Sequence, residues 1–149
     1  MPILNAALIL CGLLGQPSAP SVMDFDAVIN KHLGAIKTRD LKSFTETITG
    51  DDSITLILPN GHYSKTRREF LTSIQTWFQE KDWRFSYQIE SRVHTPELGL
   101  VVLRVAYDDM DSDQKPYHLD YFLTLVFKKS SSGWFLIHDQ NTLINPKQP

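Results

Sequence analysis

The sequence predicts a single α+β domain in which a twisted antiparallel sheet wraps around helices from the N-terminal half. Three observations carry this. Up to Glu80 most apolar residues recur at helical spacing. From Arg84 to Thr142 they alternate or run as strands between polar turns. Of the 149 residues, 42% are hydrophobic and 11% aromatic, enough for one core of this size.

Phe25, Val28, Ile29, His32, Leu33 and Ile36 fall on one stripe, so Asp24 to Lys37 is read as an amphipathic helix. Ser21 and Asp24 have the spacing of a capping box at its start. Asp40 can cap a short second helix carrying Leu41, Phe44 and Ile48, and Gly50 ends it. Ile54 to Leu58 is a brief strand, closed by Pro59-Asn60-Gly61, whose Asn-Gly pair signals a hairpin to a return strand at His62 to Lys65. A third helix runs from Arg67 to Glu80, with Phe70, Leu71, Ile74, Trp77 and Phe78 on its apolar side. Four strands follow: Arg84 to His94, Leu98 to Asp108, Tyr117 to Lys128 and Trp134 to Thr142. No internal repeat or low-complexity tract interrupts them.

Both faces of these strands carry apolar residues. In the third, Leu119, Tyr121, Leu123, Leu125 and Phe127 share one phase, and His118, Asp120, Phe122, Thr124 and Val126 share the other. A sheet with water on one side alternates more cleanly. The helices are expected to cover one face and a second subunit the other, as a homodimer through the convex side.

The first 21 residues read as a separate leader, and the domain as 22–149. Ile3 to Leu14 is apolar and uncharged, and the small residues Ala19 and Ser21 fit a cut ahead of Val22. This pattern points to a signal and a secreted or periplasmic protein. No Lys or Arg precedes the apolar run, which leaves open a helix packed on the domain and a cytoplasmic location. The run is too short to span a bilayer. Cys11, the single cysteine, lies within it, so neither an intrachain disulfide nor a cysteine metal site is expected. With 15 basic against 17 acidic residues there is no cationic surplus for nucleic acid.

The order of elements and certain residues resemble the nuclear transport factor 2-like superfamily, nearer its SnoaL-like and calcium/calmodulin-dependent kinase association-domain branches. The matching pieces are Lys37-Thr38-Arg39-Asp40-Leu41 between the first helices, Pro59-Asn60-Gly61 before the third, and the closing strand from Trp134 through His138 and Gln140 to Thr142. Gln140 stands where the family has a second histidine. The resemblance implies a cone-shaped, strongly curved mixed or antiparallel sheet, with three helices on its concave side, an internal pocket and commonly a homodimer. It implies no single activity, since the fold hosts isomerases, cyclases, dehydratases and many non-enzymes.

Arg104 is the most informative residue, because its neighbours within three positions are apolar. A guanidinium in a covered sheet needs an acceptor. A turn centred near Ser112 would set Arg104 opposite Asp120; one near Ser130 would set Asp120 opposite Gln140 and Phe122 opposite His138. Arg104, Asp120 and Gln140 would then form a polar row flanked by His118 and His138. The resemblance implies that an Arg at the position of Arg104 lines the pocket, where its planar fork suits an anion such as a carboxylate. An Arg104–Asp120 pair that only braces the sheet is the alternative. Asp120 with His118 or His138 is the candidate for acid–base catalysis, although an adjacent Arg104 would weaken Asp120 as a base.

Trp77, Trp83 and Tyr87 sit where the third helix meets the sheet and either line the mouth of the cone or belong to its core. His32 lies on an apolar stripe and reads as core; His62 and His94 read as solvated. No metal-ligand spacing occurs, and no phosphate loop or nucleophile elbow, so neither a metal nor a cofactor is expected. The acidic run from Asp108 to Asp113 lacks the glycine and terminal glutamate of a calcium loop. Three functions remain: a pocket binding a small anionic ligand through Arg104 with Asp120, Gln140 and Phe122; a SnoaL-like acid–base enzyme; and a non-catalytic dimerisation module.

Overall fold

The structure is a computed structural model and describes residues 23–144. The leader, Cys11 and the Ser21 half of the expected capping box lie outside the described residues.

Helix α1 spans Phe25–Thr38, and Asp24 caps it by accepting a 2.7 Å hydrogen bond from the Ala27 amide. Its C-cap, Arg39, takes the left-handed conformation at φ 55° and returns its N–H to the Ala35 and Ile36 carbonyls. Asp40 then caps α2, Leu41–Thr45, through the Ser43 amide and hydroxyl. Strands β1, Ser53–Ile57, and β2, Tyr63–Thr66, form the expected hairpin, and α3 follows at Arg67–Gln79. The complete capping box belongs to α3, where Thr66 and Glu69 bond each other's backbone amides.

Strands β3, Arg84–His94; β4, Leu98–Met110; β5, Pro116–Ser130; and β6, Gly133–Leu143, complete a six-stranded sheet in the order β2-β1-β6-β5-β4-β3. β1 runs parallel to β6 and every other pair is antiparallel, which makes the sheet mixed. The fold is the curved, unclosed α+β cone expected from the sequence, with the helices on its concave side.

The core lies between helices and sheet. Val101, Leu103, Val105 and Tyr107 on β4, with Tyr121, Leu123, Leu125 and Phe127 on β5, are buried against Ile29, Leu33, Phe44 and Phe70. Gly99 packs directly against Phe25, whose ring an added Cβ would overlap. His32 is core as expected: its Nδ1 donates to Thr47 Oγ1 at 2.8 Å, and that hydroxyl donates onward to the Phe44 carbonyl at 2.6 Å.

The expected registers are displaced. The β4–β5 turn centres on Asp113, so Arg104 faces Phe122 and Asp120 faces Ala106. Moving a hairpin centre by one residue moves every pairing by two. The β5–β6 hairpin is tight, with Ser130 opposite Gly133, and an irregularity follows between Val126 and Phe127. Gln140 therefore lies opposite Thr124, and His138 opposite Val126.

Candidate functional site

Which side chains look inward depends on which face of the sheet the helices cover. The odd-numbered residues of β4 and β5 face the helices, which puts Arg104, His118, Asp120 and Phe122 on the convex face. Arg104 is half exposed, its Nε donates to Glu90 Oε1 of β3 at 2.8 Å, and its guanidinium sits 4.9 Å from the Phe122 ring centre. The acceptor that Arg104 needed comes from the other neighbouring strand. His118 is exposed between two carboxylates, Asp108 Oδ1 at 2.8 Å and Asp120 Oδ1 at 3.2 Å, and the hydrogen bonds to Asp108 and then Asp120 raise its pKa. His138 Nε2 meets Gln140 Oε1 at 3.2 Å, also away from the cavity lining. The expected polar row therefore divides into separate surface pairs, and none of its members lines the cavity.

Beneath the concave face is a cavity of about 580 Å³. Ile36 of α1, Phe44 of α2 and Leu56 of β1 close its inner end. One side of α3, from Thr72 to Trp77, forms a wall with Glu80 just beyond the helix, and Phe85, Tyr107, Leu119, Tyr121 and Leu123 form the wall from the sheet. Of the expected mouth residues, Trp77 lines it. Trp83 stacks behind Trp77 at 4.5 Å between ring centres and donates its Nε1 hydrogen to the Trp77 carbonyl. Tyr87 lies outside the lining, under the Lys37 ammonium.

The polar end comes from β6. Trp134 and Leu136 point inward, Ile137 is the extra residue at the bulge, and the inward phase then passes to Asp139 and Asn141. A bulge reverses the faces of everything beyond it. Asp139 is only 6% exposed. Asn141 Nδ2 donates to Asp139 Oδ1 at 3.0 Å and to the Ile57 carbonyl at 2.8 Å, which fixes the carboxyl between β1 and β6. Burial raises the Asp139 pKa to about 7, opposed in part by the Asn141 hydrogen bond. Burial also raises the Tyr121 hydroxyl pKa, with Asp139 adding to it.

A second polar group sits at the rim. Trp77 Nε1 donates to the Tyr107 hydroxyl at 3.0 Å, and Tyr107 donates to Asp109 Oδ2 at 2.7 Å. The Tyr117 hydroxyl approaches the same oxygen at 3.4 Å. Glu80 has its pKa raised by partial burial and by Asp109. Among the described residues no group of three or more His, Cys, Asp or Glu is placed to hold a metal ion, and no helix is long and apolar enough to cross a membrane.

Asp139 and Asn141 escaped the sequence reading because strict alternation from Trp134 sends them outward. The available signal was the run Trp134-Phe135-Leu136-Ile137, apolar in both phases, where a bulge costs no burial.

The model of the SnoaL-like domain matches residues 26–144. The chain belongs to the SnoaL-like family. This SnoaL-like domain is similar in structure to a protein assigned to the calcium/calmodulin-dependent protein kinase type II association domain from Thiobacillus denitrificans. The TM-score is 0.70 and the identity 13%, over 85% of this chain and 100% of that one. A protein assigned as a dehydratase of the nuclear transport factor 2-like family from Streptomyces avermitilis gives 0.66 at 13%, over 80% and 93%. A ketosteroid isomerase-like protein from Erwinia carotovora gives 0.67 at 17%, over 81% and 94%. At these identities the likeness is one of fold, the fold that nuclear transport factor 2-like proteins share. No curated protein matches the chain.

Proposed function

We propose that the cavity binds a small, largely apolar organic molecule, with the Asp139 carboxyl as its principal polar contact. The supporting observation is a buried carboxyl, held by Asn141, in a cavity whose walls are largely apolar and aromatic. Asp139 takes the part that the sequence reading gave to Arg104, because Arg104 lies on the opposite face of the sheet. Phenethyl alcohol is a suitable neutral probe, followed by quenching of tryptophan fluorescence. Ser73→Trp, which fills the cavity from α3, should abolish its binding while circular dichroism stays unchanged. Undiminished binding by that variant would place the guest elsewhere.

A carboxyl with a pKa of about 7 also suits proton transfer, and this favours acid–base catalysis by Asp139 as a second reading. Two of the structural neighbours carry dehydratase or isomerase-like names. The test is exchange of the α-hydrogens of cyclohexanone in heavy water, followed by proton NMR. Acceleration that rises through neutral pH and disappears in Asp139→Asn supports the reading; equal exchange by both proteins rejects it.

The convex face is proposed as a homodimer interface. Leu100, Val102, Phe122 and Val126 lie half-buried there, on the face away from the described helices. A hub of calcium/calmodulin-dependent kinase from S. rosetta also shares the fold, at a TM-score of 0.61. Light scattering of the wild type should give twice the chain mass and Phe122→Asp the single mass. Export through the leader is likewise proposed, and a native protein whose first residue is Met1 would reject it.

A further inference from the structure

We propose that the cavity accepts an organic amine with an apolar body, held as its ammonium against the Asp139 carboxylate. This rests on the binding reading above and names the class of guest.

The walls supply six aromatic side chains: Phe44, Trp77, Phe85, Tyr107, Tyr117 and Tyr121. Such rings bury apolar area and attract cations over their faces. Asp139 is held through Oδ1 alone, and its Oδ2 accepts no hydrogen bond among the described residues. A buried carboxylate without a counter-charge is costly, and a guest that brings one relieves that cost.

The described residues provide no such charge. Among the described residues, the ionic side chains that line the cavity are Asp139 and Glu80, with no Arg, Lys or His. Tyr121 of β5 lines the same cavity as Asp139, and Tyr107, Asp109, Tyr117 and Glu80 lie at the rim. All of these are acidic or neutral. Arg39 is committed elsewhere: its Nη2 donates to the Trp83 and Lys81 carbonyls, and its guanidinium lies 3.8 Å over the Trp83 ring, on which Trp77 stacks. A carboxylate or phosphate guest would meet Asp139 and Glu80 as like charges. An ammonium supplies what Asp139 lacks.

Three probes with one phenethyl body separate the possibilities: phenethylamine, phenethyl alcohol and hydrocinnamate, titrated calorimetrically into the full chain. Near pH 8 the amine should bind at least about ten-fold more tightly than the alcohol, the worth of one charge-assisted hydrogen bond, and hydrocinnamate should not bind. Pairing with the ammonium requires the Asp139 proton to leave for the buffer. Amine binding should therefore release about one proton near pH 6 and almost none near pH 8, whereas the alcohol releases none at either. Asp139→Asn should lose both the amine preference and the proton release.

Equal binding of amine and alcohol overturns the amine assignment and leaves the apolar cavity reading intact. Binding by neither overturns both. Retention of the amine preference by Asp139→Asn places the cation against another carboxylate and also overturns the proposal. Proton release is read on the unaltered protein, so the test survives if the variant does not fold.

Discussion

Asparagine at position 139 keeps the size of the side chain and the oxygen that accepts from Asn141, and removes a titrating group from the interior. In the folded chain that group has a pKa of about 7, against an ordinary carboxyl value of 3.8. The pKa is raised, so the fold favours the protonated form. The stabilisation is fully present below the unfolded value and is lost as pH rises through the folded one. At 1.36 kcal/mol per unit, the loss amounts to about 4 kcal/mol by pH 8, with about 3 of it between pH 4 and pH 7. That is a large fraction of the stability of a domain of this size. Urea unfolding of both proteins, followed by tryptophan fluorescence at each pH unit from about 4 to 8, measures the difference. Asp139→Asn should gain on the wild type steadily across the acidic range and level off above neutrality. A difference independent of pH would refute the reasoning, because it would mean that Asp139 ionises in the fold as readily as in the open chain.

His32 supplies the opposite slope: burial lowers its pKa to about 3, so the fold should lose stability as pH falls below the ordinary histidine value of 6.5. Between about pH 4 and 6.5 the two groups offset each other, and wild-type stability should be nearly flat, whereas in His32→Leu stability should fall as pH rises through that window. Thr66→Ala removes one half of the α3 capping box and should cost about 1 kcal/mol in urea unfolding, with alcohol binding unchanged. Gly99→Ala drives a methyl group into Phe25 and should cost about 1–3 kcal/mol, seen as a lowered Tm. Tyr107→Phe takes a hydrogen-bond partner from both Trp77 and Asp109 at the rim, and should shift the tryptophan emission and cost about 1 kcal/mol.

Helix and strand identities were legible because they arise from local chemistry. The stripe from Phe25 to Ile36 placed α1, Asp40 capped α2 as its side chain allows, and β3 runs from Arg84 to His94 as the alternation indicated. Apolar residues in both phases of β5 correspond to a buried phase under the helices and a half-buried one, Phe122 and Val126, on the other face. Arg104, alone among aliphatic neighbours, announced that it needed an acceptor. The choice of acceptor was not legible, since a central strand has two neighbours, and Glu90 of β3 won over Asp120 of β5.

The amino-acid order by itself determined the kinds of element, their succession and the composition of the core, all of which follow from spacing along one strand or helix. Tertiary structure decided which side chains enter the cavity. That outcome depends on which face of β4 and β5 the helices cover and on one extra residue at Ile137, and each is settled by how the elements pair and pack. Because successive strand residues point to opposite faces, one residue was enough to turn His138 and Gln140 outward and bring Asp139 and Asn141 into the cone.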